Sequence, residues 1–246
     1  GDTITIVFGN PAQGLPGMRM QTFCESGFEF KVLADVCAVG HYVPLPETPA
    51  IAIVPGPQHV WRAVLPSLRR PGKRFHLGLK RRDLWGNPID LAAGRFRLES
   101  NLPVANLSPE VDYRAGTKAM TFEDLRVDEE GLLRIQVMEG AVAMAGPLII
   151  RADALSGYWG DLHGQSGESI GVTTARQYFD FAHDKSFFDA TAHQANDFQV
   201  NNAFWAYLNE LMAEYHADGR FVTFPGYEWS GNTAVGGDRN VFFCDE

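Results

Sequence analysis

The chain has 246 residues, of which 45% are hydrophobic and 21% charged, a composition ordinary for a globular protein. No apolar run approaches the roughly 20 residues that span a bilayer, so the sequence predicts no membrane association. The net charge of −9 lies entirely in residues 154–246, which have 4 basic and 13 acidic side chains, and such a segment repels nucleic acid and suits cations.

Three cysteines and the chain start bear on the cellular compartment. Cys24, Cys37 and Cys244 are odd in number and match no zinc or redox spacing, so a reduced, cytoplasmic setting is the simpler interpretation. No basic and then apolar leader opens the chain, although a processed exported form would look the same. A disulfide between Cys24 and Cys37, on neighbouring strands, stays open as an alternative.

Residues 1–153 consist of short apolar runs with period two, separated by turns rich in glycine and proline. This pattern predicts an antiparallel β-sandwich, or two small ones that divide near 100–103. The basic stretch between Arg62 and Arg82 is interrupted by an alternating apolar run, which favours a strand with charged ends over a nucleic-acid surface. The predicted strands are 3–8, 28–36, 51–54, 75–79, 132–137 and 141–150.

The pattern changes near Gly157, where strands begin to alternate with helices. Thr174 and Gln177 form a capping box that opens the first helix, and Asn202 is suited to cap the second. Polar residues follow the ends of the predicted strands 158–162, 187–192, 221–224 and 240–243.

Parallel barrels place their active sites after the carboxyl ends of the strands. His163 and His193 each follow a predicted strand, and Glu228 follows the next strand along the chain. Two histidines and a carboxylate bind zinc, iron or manganese, so these three side chains are the main candidate metal ligands. The alternative is that both histidines are buried and hydrogen-bonded for structure.

Five further polar residues are weaker candidates. Gln165 and Asp238 could supply additional oxygen ligands. Asp161 shares a strand face with His163 and could orient its imidazole ring. Glu168 could act as a ligand or a general base, or face solvent, and Arg239 could hold an anion or form a structural ion pair.

The string 158–168, which includes Gly160-Asp161-Leu162-His163, resembles the first motif of the PHP (polymerase and histidinol phosphatase) superfamily. Together with 226–233 and 236–241, it is similar to a large bacterial family of unknown function with a PHP-like region after an N-terminal β-rich part. The resemblance implies a distorted (β/α)7 barrel with up to three divalent ions. It departs from the superfamily at Gln165, Ala192 and Asp238, where histidine, aspartate and histidine are usual.

The expected fold is therefore multi-domain α+β: an antiparallel β-sandwich over 1–153, then the first half of a PHP-like barrel over 154–246. A complete barrel takes about 200 residues or more, so we expect the remaining C-terminal part of the same protein to be required. A small open sheet of four strands is the alternative.

The expected function is a metal-dependent hydrolase, resembling phosphoesterases, that uses a metal-activated water on a small anionic substrate such as a phosphate ester. The alternative is a binding module in which the PHP-like region is catalytically degenerate. A purely structural protein without metal fits less well, because three ligand types follow successive strands.

Overall fold

The computed structural model describes residues 3–139, 141–231 and 236–244. The chain divides into two compact units, Gly1–Pro55 and Gly56–Glu246. Among the described residues, no helix is long and apolar enough to cross a membrane. No disulfide joins the three cysteines, so the Cys24–Cys37 pairing is absent.

The first unit has two sheets of two antiparallel strands each. Glu25–Glu29 pairs with Ala50–Ile53, and Leu33–Ala34 pairs with Val43–Pro44. The predicted strand at 3–8 is not present among the described residues, and Ile4 in this segment is 89% exposed. The elements are a 3-10 helix at Pro11–Gln13, β1 (Glu25–Glu29), β2 (Leu33–Ala34), β3 (Val43–Pro44) and β4 (Ala50–Ile53).

The second unit begins with two sheets, most of whose strands are antiparallel. The strands are β5 (Val60–Val64), β6 (Leu68–Arg69), β7 (Phe75–Arg82), β8 (Gly94–Ser100), β9 (Glu110–Tyr113), β10 (Ala119–Leu125), β11 (Gly131–Glu139) and β12 (Ala141–Ile150). One sheet has the order β10-β7-β5. The other has the order β6-β12-β11-β8-β9, and β6 runs parallel to its neighbour β12 whereas the other pairs are antiparallel.

Alternation along these strands produces the core between the two sheets. Phe75, Leu77 and Leu79 of β7 are buried, because alternate side chains of a strand point to the same face. They pack in one cluster with Leu133 and Ile135 of β11. The period-two pattern of the sequence thus corresponds to real inward-facing positions.

The remaining residues of the second unit combine strands with two helices. Thr174 caps the first α-helix through the predicted capping box with Gln177, and Asn201 caps the second α-helix one residue before the predicted Asn202. The elements are β13 (Gly160–Gly164), α1 (Ala175–Asp184), β14 (Ala190–His193), α2 (Asn202–Tyr215), β15 (Val222–Thr223), β16 (Gly226–Ser230) and β17 (Asp238–Phe242).

The prediction of a β-sandwich followed by half of a (β/α)7 barrel is wrong. β13, β14 and β15 form a parallel sheet of three strands, but β16 and β17 form a separate antiparallel pair. Only seven residues, 231–237, separate β16 from β17. A parallel crossover needs about a dozen residues, so this connection allows only an antiparallel pair, and the barrel pattern stops there.

Candidate functional site

The carboxylate of Glu228 is the centre of a polar cluster at the end of the parallel sheet. Its side chain is only 8% exposed. β16 is held beside the segment that follows β14, since the Glu228 amide donates to the Ala195 carbonyl (2.9 Å) and the Asp197 amide donates to the Glu228 carbonyl (2.8 Å). This backbone pairing places the Glu228 carboxylate inside the polar cluster.

Two side-chain amides stabilise this carboxylate. Gln165 Nε2 donates to Glu228 Oε2 at 2.8 Å, and Asn196 Nδ2 donates to the same oxygen at 2.9 Å. The Ser169 hydroxyl donates to Gln165 Oε1 (2.7 Å), and Asn196 also contacts Ser230. A buried carboxylate is costly unless it is hydrogen-bonded, so these donors account for its stability in this position.

His163 is held next to Glu228 in a defined orientation. Asn240 pairs directly with Glu228 across β16 and β17, so both side chains lie on the same face. Asn240 Nδ2 donates to the Leu162 carbonyl (3.0 Å), which directs Asn240 Oδ1 toward His163 Nδ1 at 2.8 Å. Because Oδ1 can only accept, Nδ1 carries the hydrogen, and in the neutral form of the ring Nε2 then carries the lone pair.

This tautomer places two hydrogen-bond acceptors opposite each other. His163 Nε2 lies 3.8 Å from Glu228 Oε2, and Nε2 has no hydrogen-bonding partner among the described residues. A lone pair that faces a carboxylate is unfavourable unless a proton or a metal cation lies between them. The imidazole is 53% exposed, so the space beside it is open to solvent.

His193 lies apart from this pair in a buried pocket. It is 1% exposed, its Nε2 contacts Ser166 Oγ at 2.8 Å, and its Nδ1 is buried without a partner. Tyr178 and Phe204 pack their rings against it edge to face. Burial lowers the pKa of His193 to about 4, opposed in part by the nearby Glu168, so the ring is neutral near pH 7.

The weaker candidates occupy distinct places. Asp161 accepts from the His163 backbone amide (2.9 Å), and Asn240 rather than Asp161 contacts the ring. Glu168 accepts from the Ala175 amide in the first turn of α1. Asp238 is exposed and lies opposite Ser230 in the register of β16 and β17. The Arg239 guanidinium stands over the Trp229 ring, on the face of this strand pair that is opposite to Glu228.

The structure therefore brings together His163, Gln165 and Glu228, and it adds Asn196 and Asn240, which sequence reasoning missed. The signal for Asn240 lies in the register of β16 and β17, which places it opposite Glu228. That register cannot be read without knowing that the two strands pair. In the described part of the chain, no three His, Cys, Asp or Glu side chains converge as a complete metal site.

No protein-family profile matches the chain. An uncharacterised protein of Chlamydia pneumoniae is similar to it, with 23% identity over 263 aligned positions that cover 100% of this chain and 41% of the relative. The chain thus spans less than half the length of the curated relative that it matches.

Proposed function

We propose that this chain contributes His163 and Glu228 as ligands of a divalent cation in a metal-dependent hydrolase. The observation that carries the proposal is the approach of His163 Nε2 to Glu228 Oε2 at 3.8 Å, where both atoms present lone pairs in the neutral form of the ring. The hydrogen bond from Nδ1 to Asn240 is the arrangement that outer partners give to metal-binding histidines.

The donor chemistry fits an ion of the zinc, iron or manganese class. An imidazole and a carboxylate suit such ions, and a catalytic site keeps coordination positions open for water and substrate. Gln165 would complete the protein ligands through its amide oxygen, although its nitrogen faces Glu228 here. His193 would not take part, because its Nε2 contacts Ser166.

A bound divalent ion would supply a more acidic water and would polarise an oxygen of the substrate. The side chains of this chain would hold and orient the ligands: Asn240 fixes the His163 ring, and Asn196 fixes the Glu228 carboxylate. A phosphate ester is the substrate class that we propose. The greater length of the relative supports a further proposal, that other segments of the same protein complete the site. A cytoplasmic location stays part of the proposal.

Metal content after exhaustive dialysis, measured by elemental mass spectrometry, tests the cation site. We expect about one equivalent of zinc, manganese or iron in the unaltered chain and loss of that metal in His163→Ala and Glu228→Gln. Asn240→Ala should weaken metal affinity roughly 10- to 100-fold, because it releases the ring. His183→Ala is the matched control, since His183 lies on α1 and contacts Asp184. Equal metal in His163→Ala and the unaltered chain would contradict the proposal.

A second candidate is a binding module whose catalytic site is degenerate. The observation that favours it is that two neutral amides, from Gln165 and Asn196, already hydrogen-bond the Glu228 carboxylate without any cation. A full-length protein that retains its metal but hydrolyses no generic phosphate ester would favour this candidate. Hydrolysis that depends on both His163 and the metal would exclude it.

A further inference from the structure

A group of four cationic side chains lies on the outer face of the sheet formed by β5, β7 and β10. Arg62 pairs directly with Lys80 across β5 and β7, and Arg82 lies two residues beyond Lys80 on the same face. Lys185, from the segment that follows α1, accepts a hydrogen bond from Lys80 Nζ through its backbone carbonyl at 2.6 Å. We call these residues, Arg62, Lys80, Arg82 and Lys185, the basic cluster.

The segment that carries Lys185 is packed closely onto β7. A Cβ atom at Gly78 would lie 2.2 Å from the Phe187 ring, so only glycine allows this approach. Lys80 Nζ stands over the rings of Phe181 and Phe187, at 5.6 and 5.8 Å from their centroids. The basic cluster is therefore built from two distant parts of the chain that pack against each other.

The cluster has no internal charge compensation. Among residues 3–139, 141–231 and 236–244, none of its four side chains forms an ion pair with a carboxylate. On the other side of Lys80, β10 presents the uncharged Ala119. Like charges placed directly across a strand pair are destabilising, and here two further cations are added.

The ionisation of Lys80 reflects this environment. Burial lowers the pKa of Lys80 to about 8, and the nearby Arg82, Arg62 and Lys185 lower it in the same direction. In addition, Arg82 Nε is buried without a hydrogen-bonding partner. An anion bound among these side chains would relieve the repulsion and accept from the unused donors.

We propose that the basic cluster is a binding site for a doubly charged oxyanion, the phosphoryl group of a small molecule. Two guanidinium groups and two ammonium groups close together suit a compact dianion with several acceptor oxygens. The site is separate from the Glu228 cluster, because Lys185 precedes the amino end of β14 whereas His193 lies at its carboxyl end. The proposal does not depend on hydrolysis or on a metal.

Thermal unfolding in sodium phosphate, compared with sodium chloride at equal ionic strength and with a chelator present, tests the proposal. At a phosphate concentration about tenfold above the dissociation constant, we expect the melting temperature to rise by about 3–6 °C. Excluded phosphate also stabilises proteins in general, so variants must separate the two effects. Lys80→Gln and Arg82→Gln should lose most of the increment.

Lys118→Gln is the matched control, because it removes the same charge from a side chain already paired with Asp90. It should keep the phosphate increment of the unaltered chain. If phosphate raised the melting temperature equally in the unaltered chain and in all three variants, the proposal would be overturned, because phosphate would then act by exclusion from the surface. No increment over chloride in the unaltered chain would overturn it as well.

A second measurement uses the sign of the stability change. At low ionic strength without phosphate, Arg62→Gln should raise the melting temperature, since it removes one of two opposed cations. In saturating phosphate the same variant should melt below the unaltered chain, because it has lost a ligand-binding group. A variant that melts lower under both conditions would mean that Arg62 has only a structural role and would contradict the proposal.

Discussion

His163 and His193 illustrate how differently two similar histidines can be used. Both were predicted as metal ligands because both follow apolar runs, yet His163 is half exposed and His193 is 1% exposed. The His193 ring is surrounded by Tyr178, Phe204 and the Ser166 hydroxyl. Sequence position indicated where each strand ends, but burial depended on α1 and α2 packing over the second histidine.

The buried His193 should make stability depend on pH. Its pKa is about 4 in the folded chain, because of burial, and about 6.5 when unfolded, so between these values the unfolded chain binds a proton that the folded chain does not. Above pH 6.5 neither state binds this proton, so we expect the unfolding free energy to have its full value there. The unfolding free energy should then fall by about 3 kcal/mol as the pH is lowered to 4.

Urea denaturation from pH 4 to 7.5, with a chelator present, measures this contribution. His193→Gln removes the titrating ring. The difference in unfolding free energy between the unaltered chain and this variant should therefore shrink as the pH falls. A difference that is constant over the whole range would show that His193 titrates alike in both states.

Among the secondary-structure elements, the register of β16 and β17 has the largest effect on the candidate site. The sequence placed Glu228 just after a strand, whereas it lies within β16, opposite Asn240. The apolar run 240–243 predicted a strand there without indicating its partner. Only the short connection, and the pairing that it imposes, brings Asn240 to the His163 ring.

A second link between elements is the buried ion pair of Arg69 and Asp189, at 3.5 Å. Arg69 belongs to β6 and also donates to the Gly157 carbonyl, while Asp189 precedes β14 and accepts from the Trp159 amide (2.8 Å). The pair therefore joins the antiparallel sheets to the start of the parallel sheet. Its side chains are only 5% and 10% exposed.

Removal of one partner of this pair should be strongly destabilising. We expect Asp189→Ala to lower the unfolding free energy by about 3–5 kcal/mol, because Arg69 would keep an uncompensated buried charge. Asp90→Ala is the matched control: its pair with Lys118 is exposed, and its loss should cost about 1 kcal/mol or less. Equal costs in a denaturant titration would contradict the assigned role of the buried pair.

For the chain as a whole, the division at Pro55–Gly56 makes a prediction about independent folding. The second unit contains both hydrophobic clusters, one between the antiparallel sheets and one formed by α1, α2 and Phe221. We expect a fragment of residues 56–246 to unfold cooperatively, with a melting temperature within about 4 °C of that of the whole chain.

Calorimetry of the purified fragment, together with its near-ultraviolet circular dichroism, measures this expectation. A fragment that lacks a cooperative transition would show that residues 1–55 are needed for the fold of the rest. The unaltered chain under the same conditions is the reference.

Local patterns were sufficient for the features that depend on neighbouring residues. Three features follow from short stretches of sequence: the capping box of Thr174 and Gln177, the buried alternation of Phe75, Leu77 and Leu79, and the acidic character of residues 154–246. Backbone geometry and side-chain period act over a few residues, so these features need no distant partner.

The tertiary structure alone decided which distant residues meet. Three contacts join segments that are 63 to 105 residues apart: Asn240 with His163, Gln165 with Glu228, and Lys80 with Lys185. The second amide on Glu228, from Asn196, is 32 residues away in the sequence. Strand register and close packing set these contacts, and a one-residue slip would turn each side chain to the opposite face. The candidate site and the basic cluster are products of that packing.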